Sequence, residues 1–312
     1  MTQLLLEDNA PAIGLEYNPC PNGCIESDTT VAQGCDVIHG VPGEYRAVRC
    51  TACGLVRTSP RPSSETMGVY YPREYGPYQA GSAIPPGVGH RIADWINGVP
   101  NLEPGAVLEI GCASGKFLDR MRARRWRTFG VEICGDAAQL ARANGHEVWS
   151  GSVEQMPEPA VRPDLIVGWM VLEHLHNPLA ALRRLHSVAA PGALCAFTVP
   201  RFGVLGNRFL GRYWILLDLP RHLFHYEPPT LGAMLEQTGW EPVRFFHNPK
   251  SSFAFSSVAR FARSKGWARA SNLLENIAGN KKLRILRHLT GLLLGVTRQS
   301  GVLTVWARRK DS

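Results

Sequence analysis

The sequence predicts an α/β protein built on a parallel sheet, and two neighbouring patterns carry that prediction. Val107 to Ile110 has the short, apolar character of a buried parallel strand, Gly111 to Gly115 is a small-residue turn, and Lys116 to Arg125 continues as a helix. Roughly 20 residues after that turn a further apolar run, F-G-V-E, closes on Glu132. A turn at the carboxyl edge of such a sheet, with an acid at the end of the next strand, is where nucleotide-like ligands bind. Gly111 and Gly115 allow a sharp bend and close approach, while Glu132 is placed to accept hydrogen bonds from two ribose hydroxyls. The G-x-G-x-x-G pattern of dinucleotide sites is absent. The spacing is instead E-x-G-x-A-x-G from Glu109, and an acid before the first glycine suits a cationic amino-acid end better than a diphosphate.

In chain order, the N-terminus comes first. M-T-Q-L-L-L-E-D-N-A lacks a basic leader with a long apolar stretch, and no segment reaches the roughly 18 apolar residues of a spanning helix, so a cytoplasmic protein is expected. With 312 residues, 45% hydrophobic and 19% charged, the chain can bury a full core and carry a second small module. Its eight cysteines then point to metal and not to disulfides. Cys20-x-x-x-Cys24 and Cys50-x-x-Cys53-Gly54 form two knuckles whose four thiolates would close a structural zinc site with no position open for substrate. Cys35 or His39 could replace one ligand of the looser first knuckle. Cys112, Cys134 and Cys195 are expected to pack and not to react. The module is assigned to 1–76, a Gly-, Ser- and Pro-rich linker to 77–89, and the main domain to 90–312, starting with a short helix over His90 to Val99.

Further along, Pro163 to Gly168 reads as a strand, Leu179 to Val188 as a helix, and P-G-A-L-C-A-F-T-V-P from Pro191 as a turn entering another strand. An aromatic-rich insertion over 201–227 falls at the carboxyl edge and suits a substrate cover; a helix begins near Pro229. A basic and apolar helical insertion over 251–298 follows, with Leu283, Leu286, Leu289 and Leu293 on one side of a helix. Core or dimer packing is the expectation for that face, and docking on an anionic membrane is the alternative. Gly301 to Arg308 reads as a closing strand.

The Glu109–Gly115 segment resembles motif I of class I S-adenosylmethionine (SAM) dependent methyltransferases, with Ala113 where that family usually has glycine. Asp164, Glu173, His174, Pro178 and Gly192 match the family's downstream order, so the resemblance covers about Pro104 to Asn248. It implies a Rossmann-like seven-stranded sheet whose last strand is antiparallel. SAM would be held by Glu109, Gly111, Cys112, Ala113, Gly115, Glu132, Ile133, Ser152, Val153 and Trp169. The cysteine knuckles, the P-x-P stretch and Tyr70-Tyr71-Pro72 with Tyr75 resemble the N-terminal zinc module of a branch that includes sugar C-methyltransferases. In that resemblance Tyr70 and Tyr71 help to cover the substrate, joined by Tyr213, Arg221 and Tyr226; simple packing of the module is the equal alternative for the first pair. Asp218 to His222 resembles an acceptor-pocket segment that can carry a histidine base. His222 is the closest match, followed by His174 and His225, and Arg221 in place of an acid favours an anionic acceptor. Ordinary structural histidines under a loop are the competing reading of His222 and His225.

The expected function is therefore methyl transfer to a small-molecule or glycan-like acceptor, sugars included. A net charge of +8 raises RNA base methylation as an alternative, and a SAM-binding scaffold without turnover is another. The basic groups are spread along the chain and lack interleaved aromatic platforms except Trp126, which favours solvated helix faces over nucleic acid.

Overall fold

The computed structural model describes residues 14–71 and 102–311; the expected linker, the helix over His90 to Val99, Pro72 and Tyr75 lie outside the described residues. Short strands come first: β1 (Leu15–Glu16), β2 (Asp28–Gly34), β3 (Tyr45–Cys50), β4 (Val56–Thr58) and β5 (Arg61–Pro62). Strands and helices then alternate as β6 (Ala106–Ile110), α1 (Lys116–Arg122), β7 (Arg127–Glu132), α2 (Gly135–Ala143), β8 (Glu147–Ser150), β9 (Leu165–Trp169), α3 (Pro178–Val188) and β10 (Leu194–Pro200). The remainder is α4 (Leu205–Leu210), β11 (Phe224–His225), α5 (Pro228–Glu236), β12 (Trp240–His247), α6 (Ser252–Ser264), α7 (Ala268–Gly279), α8 (Arg284–Val296) and β13 (Val302–Arg309).

The main sheet has seven strands in the order β12-β13-β10-β9-β6-β7-β8. β6 to β10 pair in parallel, whereas β13 runs antiparallel between β10 and β12. This is the expected sheet, and α6 to α8 form the expected helical insertion before its last strand. Every residue of β6 is buried, as a central strand covered on both faces requires. α3 begins with Pro178 at its first position and Asn177 as cap, whose Oδ1 accepts from the Ala180 N–H at 3.0 Å. Its Leu179, Leu182, Leu185 and Val188 are buried, and Trp240 donates its indole N–H to the Leu182 carbonyl at 3.1 Å.

A four-stranded sheet in the order β11-β4-β3-β2 joins the N-terminal module to the main domain, because β11 belongs to the 201–227 insertion. Phe224 pairs with Arg57 and His225 with Val56. Tyr45, Leu55, Val56, Met67 and Tyr70 of the module pack in one apolar cluster with Leu172, Phe197, Leu217 and Phe224 of the main domain. A buried ion pair crosses the same boundary: Arg221 Nη2 is 2.7 Å from Asp36 Oδ1.

Candidate active site

The glycine-rich turn leaves β6 in left-handed backbone, with φ of +63° at Gly111, +48° at Ala113 and +84° at Gly115. A Cβ on Gly111 would meet Val171 Cγ2 at 2.5 Å, so glycine is required there by conformation and by space. The N–H groups of Gly111 and Cys112 donate to the Val131 carbonyl at 2.8 and 3.2 Å, which ties the turn to the end of β7. Glu132 completes the tie. Its Oε2 accepts from the Ala113 N–H and its Oε1 from the Cys134 N–H, both at 2.8 Å, in a buried position. Burial raises this carboxyl above its ordinary range, while those backbone donors act in the opposite direction. Glu132 thus braces the turn, and the second lone pair on each oxygen remains available to hydroxyls.

Glu109 is also buried, and its Oε2 has no hydrogen-bond partner among the described residues. Desolvation lifts it well above an ordinary carboxyl, with Arg120 opposing and Glu132 adding to the rise. Trp169 Nε1, at the end of β9, is likewise without a partner among the described residues. An orphaned acid beside a glycine turn fits a ligand that brings an ammonium group. Ile133 is exposed next to Glu132, whereas Cys112 and Val153 are buried and the Ser152 carbonyl accepts from Trp149 Nε1 at 3.2 Å. Replacing Glu132 by alanine is expected to weaken SAM binding at least tenfold in calorimetry, since each hydrogen bond to a charged group is worth roughly 1.5 to 3 kcal/mol. A loss of only a few-fold would remove the ribose assignment.

A second group of side chains gathers after β9. Leu172–His174 forms a single 3-10 turn, and Glu173, His174 and His222 bring one carboxylate oxygen and two ring nitrogens within 4.8 Å of one another. His222 Nδ1 lies 2.9 Å from the Leu216 carbonyl, and His174 Nδ1 lies 3.0 Å from the Arg221 carbonyl and 2.9 Å from Tyr71 Oη. A carbonyl only accepts, so both rings carry their hydrogen on Nδ1 and keep a lone pair on Nε2. The rings meet edge to face at 4.8 Å. Burial lowers His222, and burial followed by the His222 charge brings His174 down to about 3. Glu173 is fully buried without a partner for either oxygen among the described residues, and burial raises it to about 8. At neutral pH the group is thus two neutral imidazoles and one protonated carboxyl.

Several sequence expectations are corrected by this geometry. Arg221 does not face an anionic acceptor: it is 1% exposed, and its guanidinium is held by Asp36 at 2.7 Å and Asp218 at 2.5 Å. Tyr70 is fully buried with its hydroxyl on Tyr45, which is the packing alternative. Tyr226 is fully buried and donates to the Leu172 carbonyl at 3.2 Å. Tyr213 packs on Phe261 of α6 at 5.6 Å. His225 stands apart from the cluster, 3.2 Å from Thr58 Oγ1 in the module sheet, lowered to about 3 by burial and then by His222. Of the predicted acceptor residues, Tyr71, His174 and His222 come together. Glu173 and Asp218 join this group without an individual role in the sequence reading; their signals were the family match at Glu173 and the place of Asp218 at the head of the segment that ends on His222.

The cysteines converge as the knuckles predict. The sulfurs of Cys20, Cys24, Cys50 and Cys53 lie within 4.8 Å of one another, with Cys20 and Cys53 3.5 Å apart. Zinc bonded to four thiolates at about 2.3 Å sets sulfurs roughly 3.8 Å apart, so the residues fit that ion. Gly23 and Gly54 turn the two knuckles with φ of +74° and +76°, and Cys35 is exposed outside the group.

A family model described as a methyltransferase domain matches residues 87–244, just over half of the chain. The chain belongs to this family. Among relatives of this methyltransferase-domain protein, the malonyl-acyl-carrier-protein O-methyltransferase of Serratia marcescens is 29% identical over 171 residues, covering 54% of this chain and 65% of that one. The ubiquinone biosynthesis O-methyltransferase of Ruegeria pomeroyi is 31% identical over 170 residues, covering 49% and 64% respectively. The chain therefore spans just under two-thirds of these relatives' length. A solved SAM-dependent methyltransferase from Mesorhizobium loti is 16% identical with a TM-score of 0.47, covering 70% of this chain and 98% of that one.

An open cleft of about 450 Å³ lies between the module of this methyltransferase-domain protein and its 201–227 insertion, away from the glycine turn. Arg49, Phe202, Asn207, Arg208 and Glu227 line it, and Arg49 pairs with Glu227 at 2.5 Å.

Proposed function

We propose that the protein transfers a methyl group from SAM to a small-molecule or glycan-like acceptor, sugars included, with His222 taking the acceptor's proton. The observation that carries this reading is the junction at Val171. That residue touches the space above Gly111 of the turn and lies three positions before His174, so the cofactor turn and the histidine pair share one edge of the sheet.

Glu109 and Glu132 would hold SAM together with Gly111, Ala113, Gly115, Ile133 and Trp169. When bound, SAM would supply an electrophilic methyl carbon: the acceptor atom's lone pair would bond to it in line as the carbon–sulfur bond breaks, with the neutral thioether leaving. The chain's own task is to orient the acceptor and to remove its proton. His222 presents Nε2 for this, because the Leu216 carbonyl keeps Nδ1 protonated. Burial holds the ring neutral, and Asp218 Oδ2, 3.7 Å from Nε2, favours the imidazolium once it forms. His174 stands against the His222 ring at 4.8 Å, with Tyr71 Oη 2.9 Å from its Nδ1. The four cysteines would hold zinc with no free coordination position, leaving the metal a structural task. The O-methyltransferase relatives favour oxygen as the methylated atom.

Calorimetry with SAM and its demethylated product tests the first half of the proposal; absence of binding would end it. Transfer of tritiated methyl into the small-molecule fraction of a cell extract tests the second half. His222→Ala is expected to keep SAM affinity and to lose transfer by about 10² to 10⁴, the usual contribution of a positioned base. Near-normal turnover in this variant would leave His222 a structural residue.

A further inference from the structure

α8 is packed inside out. Its Ile285, Leu289, Leu292, Leu293 and Val296 recur at helical spacing on one face, and all are 50% to 83% exposed. The opposite face meets the protein through glycine: a Cβ on Gly291 would lie 2.2 Å from the Pro249 carbonyl oxygen, and one on Gly295 would lie 3.1 Å from that of His247. Close docking on the small-residue side is what turns the aliphatic stripe outward. Apolar patches of this kind on a soluble chain mark an interaction surface.

The charge around the stripe selects the partner. Residues 252–300 hold nine Lys and Arg and a single acid, Glu275, a surplus of eight that equals the net charge of the whole chain, +8. Lys281, Lys282, Arg284 and Arg298 are exposed at the two ends of α8. Two copies joined through this face would set surplus against surplus, whereas an anionic lipid surface would neutralise it and take up the aliphatic side chains. No helix among the described residues is long and apolar enough to cross a membrane.

We propose that α8 is a monotopic membrane-docking helix that lies in the surface of an anionic phospholipid bilayer, with its aliphatic stripe among the acyl chains and the flanking lysines and arginines at the headgroups. This docking is independent of the methyl-transfer reading.

The test is sedimentation of the full-length protein with vesicles of phosphatidylcholine alone and of phosphatidylcholine containing about one-third phosphatidylglycerol. Binding to the anionic vesicles should exceed binding to the neutral ones about tenfold or more and should weaken as salt rises. Leu289→Glu with Leu293→Glu should reduce anionic-vesicle binding about tenfold or more at unchanged melting temperature, because both side chains are solvent-exposed. Reversing Lys281 and Lys282 to Glu should cost roughly fivefold or more for each. The proposal is overturned if the wild-type chain stays in the supernatant with anionic vesicles, if the leucine variant sediments as well as the wild type, or if sizing reveals a dimer that the leucine variant dissociates while vesicle binding is unchanged.

Discussion

Loss of metal from Cys20, Cys24, Cys50 and Cys53 is expected to dismantle the acceptor face while sparing the cofactor turn. Metal analysis of protein purified without chelator should find one zinc per chain, and Cys53→Ser should abolish it. A structural zinc site contributes roughly 10 to 16 kcal/mol of apparent binding energy to the folding of the module that it organises. That module is not independent of the rest. β4 pairs with β11, Thr58 Oγ1 donates to the His222 carbonyl at 2.6 Å, and Arg61 Nη1 donates to the His176 carbonyl at 2.9 Å. Asp36 and Arg221 are both buried, and their ion pair ties the module to the segment that carries His222. The glycine turn, by contrast, hangs on β6 and β7, which pair only with each other, β8 and β9. SAM affinity should therefore change by no more than a few-fold in Cys53→Ser, while methyl transfer is lost with the order around His222. Zinc-free wild-type protein, or a collapse of SAM affinity together with zinc, would contradict this.

The buried titratable groups make stability pH-dependent in opposite directions. His225 has a folded value of about 3 against 6.5 in a free chain, so between those values the unfolded chain binds a proton that the folded chain does not. Stability from this site is complete above pH 6.5 and is lost as pH falls. In His225→Gln, which cannot titrate, that loss is absent, and wild type should fall by about 3 kcal/mol relative to the variant between pH 6.5 and pH 4. Glu173 has the reverse sign. Its folded value of about 8 lies above the 4.5 of a free carboxyl, so the folded chain keeps the proton longer and wild type should lose stability relative to Glu173→Gln as pH rises from 4.5 to 8. The full effect is on the order of 4 kcal/mol. Denaturant unfolding across pH measures both differences, and parallel curves for wild type and variant would mean that the site is hydrated enough to titrate normally.

Much of this molecule was readable in one dimension. The turn from Gly111 to Gly115 was legible because its residues are neighbours in the chain and each left-handed φ constrains residue type locally. The same holds for the knuckles, where Gly23 and Gly54 sit beside the cysteines that they orient. β9 and α3 were visible as an apolar run and a 3.6-residue period, and the structure moves their limits by a residue or two, to Leu165–Trp169 and Pro178–Val188. The antiparallel direction of the last strand followed from family resemblance, whereas its insertion between β10 and β12 has no local signature and came from the structure.

Residue type alone could not separate contact with substrate from contact with protein. Tyrosine and arginine serve both purposes, and Tyr70, Tyr226 and Arg221 were resolved into packing residues only by the burial that the fold imposes. Asp36 and Arg221 are 185 positions apart, a pairing without any local signature. The helical period of α8 was legible, but the expectation that its leucine face packs in the core is overturned, since Leu286, Leu289 and Leu293 are exposed and Leu283 precedes the helix. Periodicity states which side chains share a face, whereas the direction of that face depends on what the other side can approach, and here Gly291 against Pro249 decides it. The sequence by itself determined the parallel strands, the glycine turn and the cysteine cluster, because those are set by short-range backbone and spacing constraints. Tertiary structure decided which polar side chains gather beside the glycine turn and which are consumed in packing, because burial and partnership are properties of the assembled chain.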